Sequence, residues 1–457
     1  MRITIENFGA IKHFEFDTDK DMYLIFGKNS VGKSYGISLI YLILKSLKKD
    51  ADSASKVNLT LTLSKYFDDD QYQDSVLNSE SMDKVKSDLI DFLNASFIAD
   101  LNISLTNTFN HLNNLQNQFG NDQLRITLDF VSSGAIFELG MEEENDGMAI
   151  KIINYQFKQV FDSLYKKVTN ITKNNFNASV MFIASRLYTE LPNREVYYLP
   201  ASRSGIYQGL GSFAQIAAEL SKSRSLISKP IHLPTIAEPI ADYFLRLSEM
   251  DNNNQTGLTA YTDDIENEIM SGQVEFDNET KRLFFRPKGT QLKLDLSSTS
   301  SMVSEMAPIV AYLKHVLPST KIKAQKEGKE VTFELCDMNG KNFSPRPLIF
   351  IEEPEAHLHP ETQVKLMNVF ARLVKDGKIK LVMTSHSNYI FNKASNLVMD
   401  SKIDPDKFKA VLFRMTERGS VAENMATDAY GIDDDNFIDT AESLYEEKLA
   451  IINKLNG

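Results

Sequence analysis

The sequence predicts an α/β fold in which a mixed β-sheet is flanked by helices and carries largely helical insertions. Three short apolar runs, Tyr23–Phe26, Leu348–Ile351 and Leu381–Met383, each end in polar residues. Such runs are typical of buried parallel strands, whose carboxyl ends meet at one edge of a sheet. The polar residues that follow them therefore define a candidate ligand-binding edge.

The first polar tip, Gly27–Ser34, fits the phosphate-loop pattern of two glycines followed by Lys and Ser. Glycines allow backbone N–H groups to turn toward a phosphate, and the following helix adds the positive end of its dipole. Lys33 is predicted to reach the β- and γ-phosphates of ATP, and Ser34 to bind Mg²⁺. A glycine-rich turn that matches by chance is the alternative. The predicted nucleotide contacts are Gly27, Asn29, Ser30, Val31, Gly32, Lys33 and Ser34.

The composition indicates a large globular chain with an acidic balance. The 457 residues are 42% hydrophobic and carry a formal net charge of −12. This balance excludes a protein that coats nucleic acid through general basic charge, so any DNA contact is expected to be local or supplied by a partner. The single cysteine, Cys336, suits a reducing cytoplasm. The sequence contains no apolar run of about 18 residues, which is the length that would predict a membrane span. A cytoplasmic protein without a membrane segment is expected.

Residues 1–50 are predicted to form the first part of the sheet and its first helix. Within them Ile5–Lys12, followed by the phosphate loop, resembles the opening of the ABC-type ATPase heads of SMC and RecF proteins. Residues 51–190 are predicted to form an α+β insertion, polar at first and later with alternating apolar residues. No heptad repeat is sustained in this insertion, which argues against the long coiled-coil arms of SMC-like proteins.

Another strand of the sheet is expected within residues 191–210, where Val196–Leu199 leads into a small polar loop with a central arginine, Arg203. A strand that runs into such a loop is what a parallel α/β sheet presents at its ligand-binding edge. Arg203 is therefore a candidate nucleotide or subunit-interface sensor, with an ordinary surface arginine as the alternative. Residues 211–272 are predicted to form a helical insertion.

Residues 273–400 are predicted to complete the sheet, and Ser297–Glu305 has the serine-rich capping pattern of a helix start. In the ABC-type heads that this chain resembles, a serine-containing signature at a helix N-terminus contacts the γ-phosphate of ATP held by the other subunit. The resemblance makes Ser300 and Ser301 the candidates, although the usual signature glycine is absent. An ordinary capped helix is the alternative.

The apolar run at Leu348–Ile351 delivers two adjacent carboxylates, Glu352 and Glu353, to the predicted edge. Glu352 is placed to hold Mg²⁺, and Glu353 to orient and deprotonate the attacking water. Glu355 is better explained by the preference of helix N-termini for acids.

The strand predicted at Lys380–Thr384 ends next to His386. Its position at a strand tip, after the glutamate pair, matches the switch histidine of ABC-type heads, which senses the γ-phosphate. Residues 401–457 are predicted to add a C-terminal strand and helix.

Taken together, Gly27–Ser34, Pro200–Gly205, Leu348–Pro360 and Thr384–Ser387 resemble the ATPase of the overcoming-lysogenization-defect group, bacterial AAA-type proteins with ABC-like heads. Members of that group often carry a C-terminal TOPRIM nuclease. The chain that follows His386 is too short for such a domain, so a nuclease or toxin is expected either to be absent or to lie on a separate partner.

The resemblance implies an ATP-binding and slowly hydrolysing sensor of an anti-phage system, similar to the ATPase subunits of PARIS and Septu. Its copies are expected to assemble around ATP and Mg²⁺ as a homodimer or higher homo-oligomer and to control the separate effector. One alternative is a DNA-repair or DNA-maintenance ATPase of the RecF kind, against which the lack of heptads and the acidic balance weigh. A non-hydrolysing scaffold held together by ATP is the other, against which the Glu352–Glu353 pair weighs.

Overall fold

The computed structural model describes residues 1–50, 79–117, 119–120, 122–131, 134–144, 147–157, 195–209, 236–254, 256–318, 321–326, 329–334, 346–433 and 445–453. Cys336 and large parts of the predicted insertions, at 51–78, 158–194 and 210–235, lie outside these residues.

The described residues form strands in both halves of the chain. They are β1 (Arg2–Phe8), β2 (Ile11–Asp17), β3 (Met22–Gly27), β4 (Arg125–Phe130), β5 (Ala135–Glu144), β6 (Gly147–Phe157), β7 (Val196–Leu199), β8 (Gly272–Asp277), β9 (Arg282–Pro287), β10 (Leu294–Asp295), β11 (Lys321–Lys326), β12 (Lys329–Glu334), β13 (Leu348–Glu352), β14 (Lys380–Thr384), β15 (Phe408–Thr416), β16 (Gly419–Met425), β17 (Thr427–Asp428) and β18 (Gly431–Ile432).

Eleven of these strands form one mixed sheet in the order β6-β5-β4-β1-β2-β16-β15-β3-β14-β13-β7. The strands from β15 to β7 run parallel to one another, whereas β1, β2, β4, β5 and β6 pair antiparallel. The parallel and antiparallel parts of the sheet join at β16, which lies parallel to β2 and antiparallel to β15. The predicted mixed sheet is therefore confirmed.

Helices cover both faces of the sheet. They are α1 (Lys33–Asp50), α2 (Ser79–Leu93), α3 (Ala99–Phe109), α4 (Glu238–Ser248), α5 (Thr259–Asp264), α6 (Ser301–Ala311), α7 (Pro360–Lys375) and α8 (Asn388–Met399), and residues 203–209 and 445–453 are also helical. Residues that are typical of helix ends lie at the start or in the last turn of these helices. Lys48 and Lys49 lie in the last turn of α1, Pro360 begins α7, and Ser387 caps α8 by accepting from the backbone N–H groups of Tyr389 and Ile390.

The core has one hydrophobic cluster on each face of the sheet. On β13, Leu348 and Phe350 belong to the cluster that contains α1, whereas Ile349 and Ile351 belong to the cluster that contains α6, α7 and α8. A strand covered on both faces must be apolar at every position. This is why the run before Glu352 is uninterrupted.

Strands β4, β5 and β6, which fall in the predicted α+β insertion, extend the central sheet. β4 pairs antiparallel with β1, so that Ile126 lies opposite Ile5 and Leu128 opposite Ile3. The alternation of apolar residues indicates which face of a strand is buried, but it does not identify the neighbouring strand. The sequence pattern therefore predicts these strands without predicting where they join.

Within the described residues, one helical stretch, Lys86–Phe109, is long and apolar enough to cross a membrane, with a mean hydropathy of 1.2. Its apolar side chains include Leu93, Phe97, Leu101 and Leu105, which are buried in the cluster that contains α1. An apolar face packed in this way belongs to the core.

Candidate active site

The loops that follow β3, β7, β13 and β14 meet at one edge of the sheet. These strands are parallel neighbours, with β3 beside β14, β14 beside β13, and β13 beside β7. Their carboxyl ends therefore bring together segments that are far apart in the sequence.

The phosphate loop turns sharply between β3 and α1. Gly27, Ser30 and Gly32 have positive φ values of 145°, 61° and 92°. A Cβ atom on Gly27 would lie 2.7 Å from the carbonyl oxygen of Phe413, and one on Gly32 would lie 3.1 Å from Cγ1 of Ile11. Both the backbone conformation and the lack of space therefore favour glycine at these two positions.

The rest of the loop leads directly into the first helix. Asn29 and Ser30 are exposed, whereas Val31 is buried in the core beneath them. α1 begins at Lys33, and the first N–H groups of a helix have no partner within it. The loop and the helix start together form an arrangement suited to a phosphate group.

Lys33 is almost fully buried at the base of the loop. Its Nζ donates hydrogen bonds to the carbonyl oxygens of Gly27 and Lys28, at 3.0 Å and 2.9 Å. Burial lowers the pKa of this ammonium, while three nearby glutamates act in the opposite direction. The loop therefore holds a compact positive charge at its base, where such a charge would suit a phosphate group.

Ser34 and Glu352 are in direct contact. The hydroxyl of Ser34 donates a hydrogen bond to Oε2 of Glu352. The other oxygen, Oε1, accepts a hydrogen bond of 2.6 Å from the hydroxyl of Tyr198 on β7, which also lies 3.1 Å from the hydroxyl of Ser38. Burial is the main cause that raises the pKa of Tyr198 well above its usual range, so this hydroxyl remains a donor.

The donor set of Ser34 and Glu352 fits a magnesium ion. One hydroxyl and one carboxylate oxygen meet beside the phosphate loop, and hard oxygen ligands together with substrate phosphates are what Mg²⁺ prefers. The sequence did not single out Tyr198, because a tyrosine within the apolar run of β7 is indistinguishable from a core residue.

A Tyr198→Phe variant is expected to lower the affinity for Mg²⁺ about 10- to 100-fold, because the hydrogen bond that orients Glu352 is lost. The variant also leaves a buried carboxylate oxygen without its donor, which is expected to cost about 1–3 kcal/mol of unfolding free energy. Titration of ATPase activity with Mg²⁺ measures the affinity for the ion, and denaturant unfolding without Mg²⁺ measures the loss of unfolding free energy. Tyr197→Phe is the matched control, since Tyr197 is packed in the cluster on the opposite face. Equal behaviour of the two variants would contradict the assignment.

Glu353 and His386 form the second pair of the site. Nε2 of His386 lies 3.3 Å from Oε1 of Glu353 and 3.0 Å from Nζ of Lys33. With its proton on Nδ1 the imidazole accepts from Lys33, whereas with the proton on Nε2 it donates to Glu353. The backbone of Glu353 has a φ of 41°, and its N–H donates to the carbonyl oxygen of Thr384 at 3.0 Å. This strained backbone and its bond to β14 fix the position of the carboxylate.

Glu355 does not lie at a helix N-terminus, where the sequence predicted it. It lies in the turn that precedes α7, and its Oε1 accepts hydrogen bonds from the hydroxyl of Ser385 at 2.6 Å and from the backbone N–H of His386 at 2.7 Å. Its carboxylate therefore holds the loop that carries the histidine. The interpretation as a helix-start acid is wrong, because the chain turns back toward β14 before the helix begins.

Arg203 is buried, which contradicts the alternative of an ordinary surface arginine, whereas its role as a nucleotide or subunit-interface sensor stays a prediction. Its guanidinium is 0% exposed and donates to the backbone carbonyl oxygens of Pro200, Glu352 and Glu353, at 3.0 Å, 2.6 Å and 3.2 Å. The sequence pattern could not show that the side chain after β7 would be buried against the end of the neighbouring strand β13.

Ser300 and Ser301 lie exposed at the start of α6. Ser300 caps the helix by accepting from the backbone N–H of Val303 at 3.4 Å. Within the described residues, the hydrogen bonds of Ser300 stay inside its own helix. The capping expected from the sequence is present, and a contact of these serines with ATP on another copy stays a prediction.

Solved structures of SMC heads are similar to the chain over most of its length. The SMC head domain from Thermotoga maritima has 10% identity and a TM-score of 0.33, over 93% of this chain and 98% of that one. An Smc head bound to the C-winged helix domain of ScpA has 10% identity and a TM-score of 0.36, over 93% of this chain and 97% of that one. An Smc head domain with an extended coiled coil, bound to the C-terminal domain of ScpA derived from Pyrococcus furiosus, has 11% identity and a TM-score of 0.36, over 98% of each chain.

A comparison with curated proteins finds no match. A family model described as AAA ATPase domain matches residues 1–391. The matched residues include the phosphate loop, both glutamates and His386, and they make up well over half of the chain. The chain therefore belongs to the AAA ATPase domain family.

Proposed function

We propose that this protein binds ATP and hydrolyses it as an ABC-type head. The proposal rests on two sets of contacts at the sheet edge where the phosphate loop begins. Ser34 contacts Glu352, and His386 contacts both Lys33 and Glu353. Phosphoryl transfer needs a cradle for phosphate, a cation ligand and a group that orients water, and these residues would supply all three.

The residues divide the reaction between them. Lys33 would exchange its carbonyl partners for phosphate oxygens, and Glu353 would accept a proton from water as the water oxygen bonds to the γ-phosphorus. The bond between that phosphorus and the bridging oxygen then breaks, and ADP leaves. Ser34 and Glu352 would hold Mg²⁺, which when bound offsets the negative charge of the β- and γ-phosphates. His386 lies where it can respond to the γ-phosphate.

We infer that a second copy completes this site. Ser300 and Ser301 are exposed at the N-terminus of α6, where the positive end of the helix dipole favours an anion. In a homodimer with two-fold symmetry, the serines of each copy would face the ATP held by the other.

A mixing experiment tests the shared site. Glu353→Gln and Ser301→Arg are each expected to be nearly inactive. When the two proteins are mixed before ATP is added, half of the dimers carry one intact site, so about a quarter of the wild-type rate is expected to return. A mixture of Glu353→Gln with Lys33→Ala is the control, because both changes damage the same half of the site and no intact site can form. Failure of the first mixture to exceed its components would contradict the assembly.

We further propose that the protein is the cytoplasmic regulatory ATPase of a bacterial anti-phage system and controls a separate nuclease or toxin. The support is the resemblance carried by the phosphate loop, the glutamate pair and His386, together with the acidic charge of −12, which suits control of a partner better than coating of DNA. An adjacent gene for a nuclease or toxin, whose product copurifies with this chain in an ATP-dependent manner, is the expected finding. A neighbouring set of recombination genes would instead favour the DNA-repair alternative.

A further inference from the structure

The guanidinium of Arg203 lies in the interior where three elements meet. It donates to Pro200 after β7, and to the carbonyl oxygens of Glu352 and Glu353 at the end of β13. On its other side Nε donates to the carbonyl oxygen of Glu305 on α6 at 3.4 Å, and Nη2 lies 3.4 Å from Oε2 of the same residue. One side chain therefore joins the catalytic strand to α6.

On the strand side, Arg203 holds the two peptide units that carry the chemistry. The carbonyl of Glu352 precedes the peptide bond to Glu353, and the carbonyl of Glu353 follows its strained φ of 41°. A guanidinium donates in a fixed planar geometry, so it determines the orientation of both carbonyl groups together. A displacement of Arg203 would therefore move the Glu353 carboxylate.

On the helix side, Glu305 is 2% exposed and belongs to the same helix as the exposed serines. Its Oε1 accepts hydrogen bonds from the hydroxyl and the backbone N–H of Ser204, at 2.5 Å and 3.4 Å. Ser300, Ser301 and Glu305 lie within about one and a half turns of the same helix. A displacement of its N-terminus by contact at the two serines would therefore also displace Glu305 and the segment that carries Ser204 and Arg203.

A buried charge needs a compensating partner, but hydrophobic side chains could fill this position without that requirement. The structure instead places the pair of Arg203 and Glu305 between the exposed N-terminus of α6 and the end of β13, next to Glu353. We propose that Arg203 and Glu305 form a positioning pair that transmits contact between α6 and a second copy to the Glu353 carboxylate. Hydrolysis would then depend on the partner through this link, an inference that rests on the shared site proposed above.

Arg203→Lys tests the link, since it keeps the charge and loses the planar set of donors. In the wild type, the rate per subunit is expected to rise with protein concentration to a plateau. In Arg203→Lys, we expect KM for ATP to stay within about twofold and the plateau rate to fall about 10- to 100-fold through misplacement of Glu353. ATP-driven dimerisation is expected to persist, but because the partner contact is no longer transmitted to Glu353, the residual rate is expected to rise much less with protein concentration than the wild-type rate does.

Two further variants separate positioning from stability. Arg246→Lys is the matched control, because Arg246 is a half-exposed arginine paired with Glu195 away from the site. Ser204→Ala removes one donor to Glu305 while the backbone N–H of residue 204 still donates to the same oxygen, so it is expected to lower the plateau rate by less than Arg203→Lys and to leave KM for ATP and ATP-driven dimerisation unchanged. If Arg203→Lys does not fold, Ser204→Ala decides the question.

The outcomes are distinguishable. A wild-type rate that does not depend on concentration would overturn the shared site itself. Suppose instead that the wild-type rate depends on protein concentration. If the rate of Arg203→Lys then rises equally with concentration, or if the plateau rate of Ser204→Ala equals that of the wild type, the shared site is retained and only the link is overturned. A parallel loss of ATP affinity, dimerisation and melting temperature in both variants would show a purely structural role and overturn the link as well.

Discussion

A Glu353→Gln variant is expected to bind ATP with normal affinity and to hydrolyse it about 100-fold or more slowly than the wild type. The amide keeps the size of the side chain and can still lie beside His386, but it cannot accept a proton from water. The backbone N–H bond from residue 353 to Thr384 is retained, because it does not involve the side chain. The change therefore separates binding from chemistry.

Equilibrium binding of a fluorescent ATP analogue and release of phosphate measure the two effects. If two copies close around ATP, the variant should accumulate as a stable ATP-bound dimer in size-exclusion chromatography. Glu361→Gln provides a control, because Glu361 is an exposed carboxylate in the first turn of α7 that pairs with Lys365. Wild-type turnover in Glu353→Gln would remove the base assignment and leave the adjacent Glu352 to be tested.

The sheet edge could be predicted because parallel strands deliver their carboxyl ends to one place. The apolar runs of β3, β13 and β14 marked three buried neighbours, and the residues after them came together as a result. What could not be predicted were contacts set by the turns beyond each strand. The burial of Arg203 and the contact of Glu355 with the loop of His386 could not be predicted, because the direction of a short turn depends on packing that the local sequence does not encode.

The supporting residues were missed for a related reason. Tyr198 lies in an apolar run, and only its neighbour across the sheet shows that its hydroxyl meets Glu352. Likewise, Glu305 follows a capped helix start and reads as a polar position, yet it is buried against Arg203. The candidate phosphate-binding residues are specified by local backbone chemistry, whereas the residues that hold them in place are specified by tertiary contacts.

A Lys33→Ala variant is expected to bind ATP about 100-fold more weakly, which corresponds to about 2.7 kcal/mol. Lys33 is buried, so its charge acts on a bound phosphate with little screening from water. Its hydrogen bonds to the backbone of the loop also help to hold Gly27 in its turn. Isothermal titration with ATP gives the affinity, and thermal unfolding without nucleotide shows how much of the loss comes from the loop itself.

Lys28→Ala is the matched control, because Lys28 lies in the same loop with an exposed side chain and contributes its backbone carbonyl to Lys33. We expect this control to retain the wild-type affinity within about twofold, since an exposed charge is screened by solvent. Normal ATP affinity in Lys33→Ala would mean that the nucleotide lies elsewhere, and the roles of Glu353 and His386 would then lose their basis. A loss in Lys33→Ala alone would place the phosphate at the buried lysine, where His386 lies 3.0 Å from Nζ of Lys33 and 3.3 Å from the carboxylate of Glu353.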